Sequence, residues 1–122
     1  MVSQRVSAEA LGRAAAAAFR GRLVVALFSG SSEESDPGYV RRAVTLTGPE
    51  SEPDGSQVMV NADDVVFAPY EQESASAVDG WALFDGAAEL VRGGVLEPRV
   101  VRAGDQFVLR AGMIRVGFAG RE

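Results

Sequence analysis

The 122-residue chain contains no cysteine and no histidine, and all 12 of its basic residues are arginine. Without cysteine there are no disulfides and no thiolate nucleophile, and without histidine the common zinc sites and serine triads go too. The absence of lysine excludes a phosphate loop of the Gly-x-x-x-x-Gly-Lys type at Ser29-Gly30-Ser31-Ser32, which reads as a turn. No apolar run approaches the roughly 20 residues that cross a membrane as a helix. Nor does Met1-Val2-Ser3-Gln4-Arg5 open an export signal, since Glu9, Gly12 and Arg13 interrupt the place of its apolar region. The expectation is a chain with no catalytic set, no metal, no cofactor and no membrane partner.

What is present suits one folded domain, residues 1–122, with a helix and arm in 1–21 and a β-sandwich in 22–122. The hydrophobic fraction of 47% and charged fraction of 24% are ordinary for a globular chain. The net charge of −5 argues against a nucleic-acid partner, which usually selects a basic surface. That charge is unevenly spread: residues 1–30 hold four arginines and one acid, residues 31–89 two arginines and thirteen acids, and residues 90–122 six arginines and three acids. An acidic middle lies between basic ends.

Ser7 to Arg20 predicts a helix, with Ser7 as N-cap, Glu9 in the first turn, Gly21 as the stop and a narrow apolar stripe of Leu11, Ala15, Ala18 and Phe19. Arg22 to Phe28 is a short apolar, β-branched run and predicts a buried strand. Acidic or proline-containing loops are expected at Ser31–Gly38 and Gly48–Gly55, with strands at Tyr39–Thr47, Gln57–Val60 and Val65–Phe67. Val78 to Arg102 organises the chain: Trp81 and Leu83 point one way, Ala82 and Phe84 the other, so this strand is apolar on both faces and suits the centre of a sheet. Asp85-Gly86 then reverses it into Glu89–Arg92. Val25-Ala26-Leu27-Phe28-Ser29-Gly30 echoes Trp81-Ala82-Leu83-Phe84-Asp85-Gly86, which suggests neighbouring central strands. Phe107 to Leu109 and Ile114 to Phe118 alternate about Ala111-Gly112 and read as a C-terminal hairpin. Many short strands without crossover helices predict a mainly β fold, an antiparallel β-sandwich or small jelly-roll-like barrel with one N-terminal α-helix. Its core is expected to include Leu27, Trp81, Leu83, Phe84, Phe107, Leu109, Ile114 and Val116.

Candidate sites are few. Asp63-Asp64 and the loop acids offer oxygen ligands but no calcium-loop spacing, so solvated carboxylates account for them better. Arg41-Arg42 point to opposite faces of a strand and do not share one anion. The outer face of the C-terminal hairpin, with Val108 and Met113 among Arg110 and Arg115, has the composition of an interface. A soluble sugar-binding β-module, with Trp81 and Tyr70 as stacking platforms, is the competing class.

The landmarks Ala26-Leu27-Phe28, Tyr39-Val40-Arg41-Arg42-Ala43-Val44, Asn61-Ala62-Asp63-Asp64-Val65-Val66-Phe67, Leu83-Phe84-Asp85 and Val101-Arg102-Ala103-Gly104-Asp105-Gln106-Phe107 follow one another in a set order. In that order the chain resembles a family of small tailed-bacteriophage virion proteins, variously tail-fibre-like, minor tail or head accessory proteins. The resemblance implies a structural, non-enzymatic virion component made in the host cytoplasm. With no repetitive shaft in the chain, the expected place is a capsid decoration protein on the particle lattice, the alternative being a tail or baseplate accessory protein. Its partners would be other virion proteins and copies of itself, for instance in a trimer. With no histidine or thiolate for zinc and no calcium-loop spacing among the acids, chelator treatment should leave the thermal midpoint unchanged; a midpoint that rises with added calcium would contradict this.

Overall fold

The structure, a computed structural model, describes residues 17–118. They form a mainly β fold in which every strand pairing is antiparallel. The strands are β1 (Leu23–Ser29), β2 (Ser32–Glu33), β3 (Arg42–Val44), β4 (Leu46–Ser51), β5 (Gln57–Asn61), β6 (Val65–Val66), β7 (Val78–Asp85), β8 (Ala88–Arg99), β9 (Val108–Leu109) and β10 (Arg115–Phe118). The largest sheet runs β2-β1-β7-β8 with β3 also on β1; the second runs β10-β5-β4, and the third pairs β6 with β9. The helix expected from Ser7 lies outside the described residues as far as Ala16. At its end the Arg20 N–H donates to the Ala17 carbonyl at 3.3 Å, and Phe19 meets Phe118 edge-on, with ring centroids 5.6 Å apart.

The two echoing segments are neighbours. β1 pairs with β7 through Val25 with Leu83, Ala26 with Ala82 and Leu27 with Trp81. Because side chains alternate, one face of this ribbon presents Leu23, Val25, Leu27, Trp81 and Leu83 to the main core. Phe67, Val101, Phe107, Leu109, Ile114 and Val116 complete that core from the other sheets and loops. The opposite face holds a separate cluster of Ala26, Phe28, Ala82 and Phe84. Phe84 is therefore buried, but against the back of the sheet.

β7 and β8 form the expected hairpin, with Gly86 at φ 60° in a two-residue turn between the paired Asp85 and Ala88. Trp81 lies opposite Gly93, and the indole fills the space a side chain would take there. A Cβ on Gly93 would come within 2.6 Å of the indole Cε2.

The C-terminal hairpin is a correction. Val108 and Leu109 pair with Val66 and Val65, whereas Arg115 to Phe118 pair with Val60 to Gln57. Between them the chain wraps around Asn61, which is 1% exposed. Its side-chain amide donates to the carbonyls of Asp63 at 2.8 Å and Arg110 at 3.0 Å, and its Oδ1 accepts from the Ile114 N–H at 2.9 Å. Buried amide groups need partners, and Asn61 finds them in the chain that wraps it, while the Arg110–Met113 turn keeps its own bond, the Met113 N–H donating to the Arg110 carbonyl at 3.0 Å. The strand expected over Tyr39–Thr47 is also divided at Thr45: Val44 joins β1, and Leu46 joins β5. The Gly48–Gly55 loop is shorter than expected, because β4 continues to Ser51 across a bulge.

Trp81→Ala should cost about 3–5 kcal/mol by cavity formation, and Gly93→Ala about 1–3 kcal/mol by overpacking. In a double-mutant cycle followed by urea unfolding, Gly93→Ala should cost little once Trp81 is alanine. Additive losses would contradict the contact.

Candidate docking surface

β8 outruns β7. Gly80 pairs with Gly94 and Val78 with Arg99, so three residues of β7 span the length of six on β8; Val95 still packs against the core, and Leu96 to Pro98 are thrown outward. Leu96 stands on this bulge, 83% exposed. It faces β9 and the turn after it across a groove of about 490 Å³ lined by Leu96, Glu97, Arg99, Phe107, Val108, Arg110 and Met113. Val66, the cross-strand partner of Val108, extends the apolar surface and is 43% exposed.

Two arginines edge the groove with different freedom. The Arg99 Nη2 donates to the Gln106 carbonyl at 2.9 Å, and its guanidinium lies 5.0 Å from the centre of the Phe107 ring, which fixes its direction. The Arg110 side chain is 76% exposed and only loosely paired, 3.9 Å from Asp64. Three of the four residues singled out in the sequence, Val108, Arg110 and Met113, thus meet in one place. Arg115 does not: it lies on β10, where its Nη2 donates to Glu52 at 2.6 Å. Leu96, Arg99 and Val66 were missed. Gly93-Gly94 and Pro98 signalled an irregular strand, but nothing local announced that the bulge would expose a leucine.

Compared with known proteins, the chain matches no family model and no curated protein.

The other polar clusters hold the fold. Asp36 accepts N–H bonds from Gly38 at 2.8 Å, Gln72 at 2.9 Å and Glu71 at 3.0 Å, tying two acidic loops together. Asp64 accepts from the Ala111 N–H at 2.8 Å, and the Gly30 N–H donates to Asp79 at 2.9 Å. Among the described residues no group of three or more acidic side chains is placed to hold a metal ion. Neither aromatic platform is presented: Trp81 is 4% exposed and Tyr70 2%.

The most connected cluster lies beside β1. The Leu27 N–H donates to the Tyr39 hydroxyl at 3.1 Å, and that hydroxyl donates to Glu33 at 2.6 Å. Arg41 grips both Glu33 oxygens at 2.8 and 2.9 Å while its guanidinium lies 3.9 Å from the centre of the Phe84 ring. The Arg41 bond holds the Glu33 carboxyl below the usual carboxylate range, and burial pushes the Tyr39 phenol up, with the Glu33 contact adding to it.

A lowered folded pKa at Glu33 gives stability that is present above the unfolded value of about 4.3 and is lost as pH falls through the folded value. A raised folded pKa at Tyr39 gives stability that is present below about 10 and is lost as pH rises. Glu33→Gln should therefore flatten the acid limb of the stability profile, and Tyr39→Phe the alkaline one. Tyr39→Phe should also cost about 1–3 kcal/mol at neutral pH, since it leaves the Leu27 N–H without its acceptor. Urea unfolding across pH reads both; unchanged limbs would contradict the assignment.

Proposed function

We propose that this chain is a non-enzymatic structural component of a tailed-phage virion, a capsid decoration protein that seats on the particle lattice through the Leu96 groove. On this reading its antiparallel sheets form a sandwich of jelly-roll type, and its partners are a major capsid protein and further copies of itself. The observation that carries the reading is Leu96, exposed on a bulge beside Val108 and Met113, with Arg99 and Arg110 at the edge. Contiguous apolar surface edged by arginine is the composition found where proteins meet, and a leucine left in water without a partner gains nothing for the fold.

The residues that carry the family resemblance support a scaffold role. Asn61, Val65 and Phe67 are buried, Tyr39 and Arg41 hold Glu33, and Leu83 and Phe84 lie in the central ribbon. None of them is arranged as an acid, base or nucleophile toward an open cleft. A sugar-binding module would need a presented aromatic face, and Trp81 and Tyr70 present none.

Leu96→Asp with Met113→Asp should abolish co-sedimentation of the purified chain with particles lacking it, while leaving its circular dichroism unchanged. Arg115→Glu, away from the groove, should decorate as the unaltered chain does. High salt should weaken the association less than a purely ionic contact would predict. Normal decoration by the double variant would overturn the proposal.

A further inference from the structure

β8 is the longest strand, twelve residues, and among the described residues it hydrogen-bonds to β7 alone. The opposite edge of the same sheet is interrupted, since β2 and β3 cover β1 with two and three residues. Open edges recruit other strands unless charge, proline, a covering segment or a bulge turns them away, and a charged, bulged edge admits only a strand whose charges and bulge match its own. On β8, Pro98 blocks only the far end.

The near end has a symmetrical pattern. Phe84 pairs with Glu89 and Leu83 with Val91, so Leu90 is an extra residue, and both Leu90 and Val91 pack against the main core. Ala88, opposite Asp85, and Gly93, opposite Trp81, lie on that same face. Glu89 and Arg92, opposite Phe84 and Ala82, lie on the other. Read from Ala88 to Gly93, the faces run core, outer, core, core, outer, core. That order is unchanged when reversed, and the two outer positions carry opposite charges.

We infer that this edge is a homodimer interface, in which β8 of a second copy pairs antiparallel about a two-fold axis at the Leu90–Val91 bond. Directly opposed residues in an antiparallel pair share a face. The inferred register meets that condition at every position: Ala88 faces the second copy's Gly93, Glu89 its Arg92, and Leu90 its Val91. An ordinary strand without the extra residue could not, because reversal about a bond would place core residues against outer ones. Leu90 and Val91, half-buried in the single chain, would be covered across the axis. Each Arg92, which already bonds Glu89 at 2.9 Å and lies 4.0 Å from the centre of the Phe28 ring, would gain a second carboxylate. This surface shares no residue with the groove, so self-association and particle binding are separately testable.

Sedimentation equilibrium of the full chain should give a dimer. Glu89→Arg and Arg92→Glu should each weaken it about tenfold by setting like charges opposite one another, and the two together should restore it. Circular dichroism would confirm that the variants fold. If either single variant is unfolded, amide exchange of the unaltered chain decides instead, with protection at residues 88–93 rising with protein concentration. A chain that stays monomeric, singles that dimerise normally, a double variant that does not recover, or exchange independent of concentration would each overturn the inference.

Discussion

Val25 against Leu83, Ala26 against Ala82 and Leu27 against Trp81 make a two-stranded ribbon that is apolar on both faces, and such a ribbon requires two covers. One cover is conventional: the short sheets, together with the 67–74 and 101–107 segments, bring Phe67, Phe107, Leu109, Ile114 and Val116 onto the Trp81 side. These two segments hold each other by backbone bonds, among them the Phe67 N–H to the Phe107 carbonyl at 3.0 Å and the Gly104 N–H to the Tyr70 carbonyl at 2.7 Å. The loops of this protein are therefore part of its core, which is how a small domain encloses a large tryptophan with few long strands.

The other face is closed differently. Ala26 and Ala82 leave room for Phe28 and Phe84 to cover them, and the two rings are met in turn by the guanidinium groups of Arg92 and Arg41. Each arginine is bound by a carboxylate of its own, Glu89 or Glu33. A planar, weakly hydrated cation can stack on an aromatic ring and keep a bidentate acid at once, which a lysine ammonium cannot do as well. The exclusive use of arginine thus has a structural outlet at the back of the sheet, while at the groove Arg99 is held by the Gln106 carbonyl and the Phe107 ring and Arg110 lies 3.9 Å from Asp64. What differs is how closely a carboxylate of the same chain holds the guanidinium, 2.8 Å at Arg41 and 2.9 Å at Arg92 against 3.9 Å at Arg110.

Much of the ribbon was legible from the sequence because alternation is local. A strand with apolar residues at every position states by itself that both faces are covered, and the Val25–Gly30 echo of Trp81–Gly86 placed the two strands side by side. Asp36 and Asp64 were legible only as loop acids: the N–H groups they cap include Glu71 and Gln72 for Asp36 and Ala111 for Asp64, all distant in the chain. The short strands were another matter. Val108-Leu109 and Arg115–Phe118 alternate correctly for a hairpin, and their alternation correctly places Leu109 and Val116 inward. Their partners lie some fifty residues away in β5 and β6, and Asn61, at the end of β5, bonds the Arg110 carbonyl and the Ile114 N–H and so holds the two short strands apart from each other's edge.

The sequence alone determined that cysteine, histidine and lysine are absent, which strands lie at the centre and which of their side chains face inward, since residue type and a two-residue period settle these within a few neighbours. Tertiary structure decided the rest: that Phe84 is buried behind the sheet, that Arg115 is held by Glu52 while Arg110 is left at a groove, and that Leu96 is exposed. Leu96 and Leu83 are the same residue in β-forming surroundings. Their opposite fates follow from how many residues of β8 must fit against β7, a mismatch of lengths that exists only once the two strands are paired.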